Sequence, residues 1–267
     1  MKLCVIGGAG ARSAFLTKSL VKSARDIRVD HIVLLDNDQQ KLKTYGEISR
    51  ELARRLDPEL TFEVTSDARV ALTGVDYIIT TIRAGGDAGR LFDEQTCLAH
   101  GVLGQETTGA GGFAMAIRSV PTLVYYCTLA REVANPGHLI FNFTNPSGII
   151  TQALRSKGFD NVYGICDAPS GFIKQLEEIL DIPYGTLDIE CYGLNHLSWF
   201  RNAKVNGRDV QRELLDNPRT YEHSEMRLFT REMARISGDC MLNEYLYFYY
   251  RRVKSLSMIQ KADHPRG

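Results

Sequence analysis

The sequence has no excess of charge. In 267 residues, 32 Lys+Arg stand against 32 Asp+Glu, so no overall field draws the protein to nucleic acid or to an anionic membrane surface. Basic pairs such as Arg251-Arg252 read as solvated helix faces. It has no CxxC pair and no disulfide framework. Its six cysteines, Cys4, Cys97, Cys127, Cys166, Cys191 and Cys240, are scattered through a chain too large to need staples, which fits a reducing, cytoplasmic setting. No stretch approaches the roughly 20 apolar residues that cross a bilayer. The apolar start Met1-Lys-Leu-Cys-Val-Ile6 is cut by Gly7, Gly8, Gly10 and Arg12 too soon for a secretory leader. No internal repeat or low-complexity segment is visible. What remains is a globular chain, 44% hydrophobic, long enough for one large α/β domain or for a nucleotide domain plus part of a second.

The amino-terminal pattern is the most readable. Lys2 to Ile6 is a short apolar run of the kind found in buried parallel strands, and Gly7-Gly-Ala-Gly10 follows at once. Ala11 to Ser23 predicts a helix, and Asp30 to Leu35 a second strand ending in Asp36. A strand, a glycine turn, a helix and a strand ending in an acid form the first βαβ of a dinucleotide-binding fold. There the glycines admit a pyrophosphate to backbone N–H groups at a helix N-terminus, and the acid meets a ribose hydroxyl. Gly7, Gly8, Gly10, Ser13 and Asp36 are the cofactor-binding candidates, and the acid favours NAD over NADP. The spacing departs from G-x-G-x-x-G, since Ser13 stands where a third glycine would help. A glycine turn with no ligand is the competing reading.

Strands and helices keep alternating: a long helix over Asp38 to Leu56, strands at Thr61 to Thr65 and Val75 to Thr81 with a short helix between, then Arg83-Ala-Gly-Gly-Asp87. This predicts a doubly wound parallel sheet. Gly101 to Gly112 contains five glycines and is either a flexible connection or backbone wrapped around a ligand. Phe113 to Val133 predicts a helix kinked at Pro121, and His138 to Phe143 a strand. Asn145 precedes a proline at that strand's end, where its amide is free to leave the sheet. Phe172 to Leu180 predicts a helix. Beyond Tyr192 the pattern changes to a hairpin around Asn206-Gly207, with helices over Glu222 to Ile236 and Met241 to Val253. The division is placed at residue 192: a nucleotide-binding domain over 1–192, and part of an α+β domain that takes substrate and metal over 193–267.

Two further stretches, Cys166-Asp-Ala-Pro169 and Gly193-Leu-Asn-His196, each follow a predicted strand, Asn161 to Ile165 and Leu187 to Tyr192. A thiolate and an imidazole at strand ends of an open α/β sheet are a plausible first-row metal pair with coordination positions left open. The competing reading is common: a lone Cys is usually a small buried hydrophobe, and a His near a Trp usually a packed side chain.

Taken together, Gly7 to Gly10, Gly101 to Gly112 with its Gly104-Gln-Glu-Thr-Thr-Gly109 core, Asn142-Phe-Thr-Asn-Pro146, Cys166 to Pro169, Gly193 to His196 and Asn243-Glu-Tyr-Leu246 resemble glycoside hydrolase family four. These are the NAD- and metal-dependent 6-phosphoglycosidases, distant relatives of lactate and malate dehydrogenases. The resemblance runs in order from residue 7 to residue 246. Family members are considerably longer, so the chain is expected to be C-terminally truncated. The resemblance implies a lactate/malate-dehydrogenase-like Rossmann domain, NAD, Mn2+ or another divalent metal, a phosphorylated sugar substrate, and a homodimer or homotetramer, with no nucleic-acid or membrane partner.

It also implies a route that departs from two-carboxylate glycoside hydrolysis. NAD takes hydride from C3 of the sugar, a base removes the acidified C2 proton, the metal stabilises the enediolate, and the aglycone leaves by elimination before water adds and hydride returns. Cys166 and His196 would hold the metal. The family's tyrosine base maps onto Tyr245, which otherwise sits in an aromatic run, Tyr245-Leu-Tyr-Phe-Tyr-Tyr250, of the sort that packs a core. Asp167 would protonate the leaving oxygen or orient the metal site. Asn145, Asn195, Arg83 and Arg90 would contact substrate, the arginines having ordinary salt bridges as their alternative role. Cys166-Asp167 matches the α-specific members, whereas Gly104 to Ala114 with Arg118-Ser-Val-Pro121, and Phe143 to Gly148, match the β-specific ones. The longer matches favour a 6-phospho-β-glucosidase. The alternatives are a 6-phospho-α-glucosidase, a 2-hydroxy-acid dehydrogenase, which would not need Cys166, and a non-catalytic NAD-binding fragment.

Overall fold

Alternation of side chains on both faces of each strand builds the first half of the molecule. In the computed structural model, which describes residues 1–261, β1 (Lys2–Ile6) sends Leu3 and Val5 to one face and Cys4 and Ile6 to the other. β2 (His31–Leu35) does the same with Ile32 and Leu34 against Val33 and Leu35. One face is covered by helices Ser13–Ser23 and Glu47–Leu56 through Val21 and Ala53. The other is covered by helices Gly109–Val133 and Ser147–Ser156 through Leu123, Ala130, Ile150 and Leu154. A strand buried on both faces must be apolar throughout, which is why these runs read as continuous and not alternating. Each fully buried Val, Leu or Ile among them contributes about 1.5–3 kcal/mol by leaving water.

The sheet is completed by β3 (Thr61–Thr65), β4 (Tyr77–Thr80), β5 (Leu139–Asn142) and β6 (Val162–Gly164). It is parallel throughout, in the order β3-β2-β1-β4-β5-β6. That is the Rossmann order, with the strand direction of winding reversing between β1 and β4.

The described residues divide into two compact units, one formed by Met1–Leu91 with Gly112–Ile165 and the other by Phe92–Gly111 with residues 166–261. The second unit contains helix Ala168–Leu180 and an antiparallel sheet of β7 (Leu187–Leu194), β8 (Leu197–Val205), β9 (Arg208–Asp209) and β10 (Met241–Leu242). Phe172, Leu176, Phe200, Met226 and Leu246 lie in its core. Glu177 is buried there, and its Oε1 accepts backbone N–H groups from Gly185, Thr186 and Leu187 at 2.7, 2.9 and 3.0 Å, which fixes the approach to β7.

Several expectations change. Leu187 to Tyr192 belongs to the antiparallel sheet, because a two-residue turn joins β7 directly to β8 and leaves no room for a crossover helix. The helix expected over Glu222 to Ile236 is broken into shorter pieces, where Ser224 and Thr230 side chains accept Met226 and Met233 N–H groups and start new turns. The helix expected from Met241 is preceded by β10, whose Met241 and Leu242 pair with Phe200 and Trp199. Helices Gly86–Ala99 and Ser147–Ser156 were hidden by the glycines and proline at their starts. Helix Gly109–Val133 is long and apolar enough to cross a bilayer by length and composition alone. It packs Leu123, Cys127, Leu129 and Ala130 into the core of the first unit.

Candidate active site

In the first unit the glycine turn follows β1 directly. Gly7 and Gly8 donate their N–H groups to Leu35 O at 2.8 and 3.0 Å. A Cβ on Gly7, at φ +84°, would meet Thr81 O at 2.7 Å, and one on Gly8 would meet Val5 O and Leu34 Cβ at 2.9 Å. These two glycines are therefore required by packing within the unit, and their N–H groups are committed. Gly10 is different: it is exposed, and a Cβ there would meet nothing within 4 Å. Ser13, buried, opens the helix and donates its N–H to Gly10 O. Asp36 accepts Ala9 N–H at 3.1 Å and Asp38 N–H at 3.0 Å, one on each oxygen, so it clamps the turn to β2. A carboxylate has about four lone-pair positions, so two remain for a sugar hydroxyl pair.

Asn145 precedes Pro146 through a cis peptide bond. The turn is anchored by Asn142, fully buried, whose Oδ1 accepts Thr80 Oγ1–H at 2.8 Å and whose Nδ2 donates to Thr151 Oγ1 at 3.2 Å. Arg83 pairs with Asp87 at 2.7 Å, and Arg90 lies on helix Gly86–Ala99. Arg118 donates to Ala84 O at 3.2 Å and lies against Gly85 and Gly89.

The second unit brings together three residues that are far apart in the chain. Cys166 Sγ lies 3.6 Å from His196 Nε2, and the Tyr245 ring stacks on the His196 ring with centroids 4.6 Å apart and planes at 23°. His196 sits in the turn between β7 and β8 at φ +119°, a backbone region that costs a residue with a Cβ roughly 1–3 kcal/mol. Gly193, also at φ +119°, admits no side chain, because a Cβ there would overlap Leu197 O. A turn that accepts this strain to present one imidazole is expected where the imidazole has a task. Asp167, exposed, precedes helix Ala168–Leu180 without capping it through its side chain. Asn195 stands beside His196, and its Oδ1 and His196 Nδ1 are buried without a hydrogen-bond partner among the described residues.

These observations test whether a metal suits the site. Two donors at about 2.3 Å (sulfur) and 2.1 Å (nitrogen) from one ion, at 90° to 110°, lie about 3.1–3.6 Å apart, which the Cys166–His196 separation meets. Burial lowers the His196 pKa against the opposing charges of Asp167 and Glu106, so the ring is neutral near pH 7, the form that binds a metal. The ring nitrogen that faces Cys166 is Nε2, which leaves Nδ1 on the far side of the imidazole, away from an ion held between the two residues. Among the described residues no cluster of three or more His, Cys, Asp or Glu is arranged to hold a metal, so Cys166 and His196 leave coordination positions open. The residues fit a divalent ion.

Glu106 escaped the sequence reading, although it lies in the Gly104 to Gly109 core. Its loop is neither slack nor empty. A Cβ on Gly104 would overlap Glu94 O, one on Gly111 would meet Gln105 O at 2.6 Å, and buried Gln105 accepts Thr107 and Thr108 N–H groups through Oε1. Gly104 and Gly111 thus serve contact of backbone with backbone inside the unit, whereas Gly101 and Gly109, both at φ +66°, face open space and serve the turn itself.

Comparison with known proteins places most of the chain. The family model described as family 4 glycosyl hydrolase matches residues 2–182, and that of the family 4 glycosyl hydrolase C-terminal domain matches residues 191–266. A 6-phospho-beta-glucosidase of Thermotoga maritima is 35% identical over 218 residues, covering 81% of this chain and 51% of the relative. A solved structure of the 6-phospho-beta glucosidase from Thermotoga maritima with NAD and glucose-6-phosphate is similar at a TM-score of 0.88 and 30% identity, covering 99% of this chain and 62% of that one. A 6-phospho-alpha-glucosidase from gut microorganisms, solved with NAD and Mn2+, is similar at 0.86 and 27%, covering 97% and 62%. The chain thus spans between 51% and 62% of the length of these proteins.

Proposed function

The chain belongs to family 4 of the glycosyl hydrolases, and from that membership we propose that it serves the hydrolysis of 6-phospho-β-glucosides with NAD and a divalent metal, Mn2+ first among them. The observation that carries this reading is the Cys166–His196 pair at 3.6 Å with the Tyr245 ring stacked on it. A 2-hydroxy-acid dehydrogenase has no use for that thiol, and an NAD-binding scaffold has no use for the strained imidazole. The β preference is supported by the 35% identical relative. The α reading has its own support in Cys166-Asp167 and in the solved α enzyme.

The turn of Gly7, Gly8 and Gly10 with Ser13 and Asp36 would receive NAD, and Cys166 with His196 would hold the metal. The chemistry these groups supply when bound is oxidation at the sugar's C3 and Lewis acidity toward the neighbouring oxygens. Tyr245 Oη would take the C2 proton. Asp167 gives a proton to the departing oxygen as the C1–O bond breaks, or orients the metal site. Asn145, Asn195, Arg83 and Arg90 would hold the sugar's hydroxyls and phosphate.

The test is hydrolysis of the 4-nitrophenyl 6-phosphoglucosides of both anomers, after stripping NAD and metal and restoring each singly and together. Turnover of the β anomer that needs both additions is expected. Full activity with NAD alone and metal verified absent would remove the metal role, and exclusive cleavage of the α anomer would show Cys166-Asp167 to be the better guide.

A further inference from the structure

The proposed base lies on a turn held by a carboxylate that neither the sequence motifs nor the proposed reaction uses. Glu225 opens the short 3-10 turn Glu225–Leu228. Its backbone N–H donates to Gln175 Oε1 at 3.0 Å, which ties it to the helix that follows Cys166 and Asp167. Its Oε2 accepts two N–H groups, from Asn243 Nδ2 at 2.9 Å and from the Glu244 backbone at 3.1 Å. Asn243 is buried, and its Oδ1 accepts the Tyr245 backbone N–H at 3.1 Å. Its own N–H donates to Ser198 O at 3.1 Å, on the strand that leaves the His196 turn.

An asparagine amide has two orientations, and one of them meets both demands here. A carboxylate needs the NH2 end, and a backbone N–H needs the carbonyl end. By accepting from Nδ2, Glu225 turns Oδ1 toward Tyr245 and fixes the residue ahead of it through Glu244. We infer that Glu225 is a positioning residue for Tyr245: through Asn243 and the Glu244 N–H it holds the turn that lays the phenol ring on His196. The importance of that placement for turnover rests on reading Tyr245 as the base, whereas the placement itself does not.

The charged and titratable groups facing Glu225 are Glu244 and Arg227, paired with each other at 3.0 Å, and Cys191 on β7. Burial, and to a lesser degree the Glu244 charge, push the Glu225 carboxyl up to about 7, against the donors from Glu244 and Asn243 and the Arg227 charge. Its ionisation therefore falls in an accessible range and marks any group mechanically joined to it.

The experiment is 19F NMR of the full chain labelled with 3-fluorotyrosine, the Tyr245 resonance being assigned by its loss in Tyr245→Phe. In the unsubstituted protein that resonance moves between pH 6 and 8 with a midpoint near 7. Glu225→Gln, which keeps an acceptor oxygen, retains the low-pH position and loses the midpoint. Glu225→Ala displaces or broadens the resonance at every pH while Tyr77 and Tyr163 stay put, and it slows exchange of the substrate's C2 hydrogen with solvent about 10–100-fold with Mn2+ affinity unchanged. A Tyr245 resonance that does not move with pH in the unsubstituted protein, or that keeps its position and midpoint in Glu225→Gln, overturns the inference even if Glu225→Ala fails to fold. If C2 exchange survives Tyr245→Phe while the NMR result holds, the base assignment fails and the positioning role stands.

Discussion

In the first unit every candidate nucleotide-binding residue lies inside one βαβ between Lys2 and Asp36, whereas in the second Cys166, His196 and Tyr245 come from segments 30 and 49 residues apart. The first arrangement is local. A strand end, a glycine turn and a helix N-terminus must follow one another in sequence for the site to exist, and Asp36 closes it with two short bonds to Ala9 and Asp38. The second is assembled by antiparallel pairing. β8 follows directly on the turn that carries His196, receives β10 along its edge, and so delivers Tyr245 to the imidazole. Local sites announce themselves by motif and assembled sites by strain, here the φ of +119° at His196.

The largest effect expected is at the assembled site. Cys166→Ala removes one of the two proposed protein ligands and should weaken Mn2+ binding at least about 100-fold while leaving NAD affinity within about twofold, both read by calorimetry on the same preparation. Parallel loss of NAD affinity would show that the two functions are not separable by unit. Tyr245→Phe should lower turnover by about 100-fold or more and abolish C2 exchange, with NAD and Mn2+ affinities kept. Near-normal exchange would return Tyr245 to packing.

Glycine substitutions sharpen the contrast within each unit. Gly193→Ala forces a Cβ into Leu197 O at a positive φ and should destabilise the second unit by about 2–4 kcal/mol, seen as a lowered denaturation midpoint. Gly10→Ala meets nothing within 4 Å, so stability should stay within about 0.5 kcal/mol while NAD binding weakens. A substitution at Gly10 that leaves NAD affinity untouched would argue for a glycine turn without a ligand.

The smallest effect is a pH dependence. Glu225 titrates at about 7 in the folded chain against an ordinary 4.5. Its contribution to stability is thus fully present below about 4.5 and is lost as pH rises through about 7, because the unfolded chain ionises first. Allowing for partial exposure, about 1–2 kcal/mol should disappear over that window. Urea midpoints for the unsubstituted protein and Glu225→Gln, compared at pH 5 and pH 8, measure it. An equal decline in both proteins would assign the pH dependence to other groups.

The sequence by itself determined the parallel sheet and its glycine turn, because a strand buried on two faces, a turn that excludes Cβ atoms and an acid one strand later are each written in consecutive residues. The motifs also named Cys166, His196 and Tyr245, but only through family resemblance, since neither spacing nor periodicity joins residues so far apart. Tertiary structure alone decided that Leu187 to Leu194 pairs antiparallel with β8, that Gly7 and Gly8 are held by Leu35 and Thr81 and leave the open approach to Gly10, and that Glu225 reaches Asn243 ahead of Tyr245. The reason is the range of the interactions. Hydrophobic alternation and turn chemistry act over a few residues and survive in the sequence, whereas cross-strand register and a buried carboxyl's choice of donors exist only once distant segments have met.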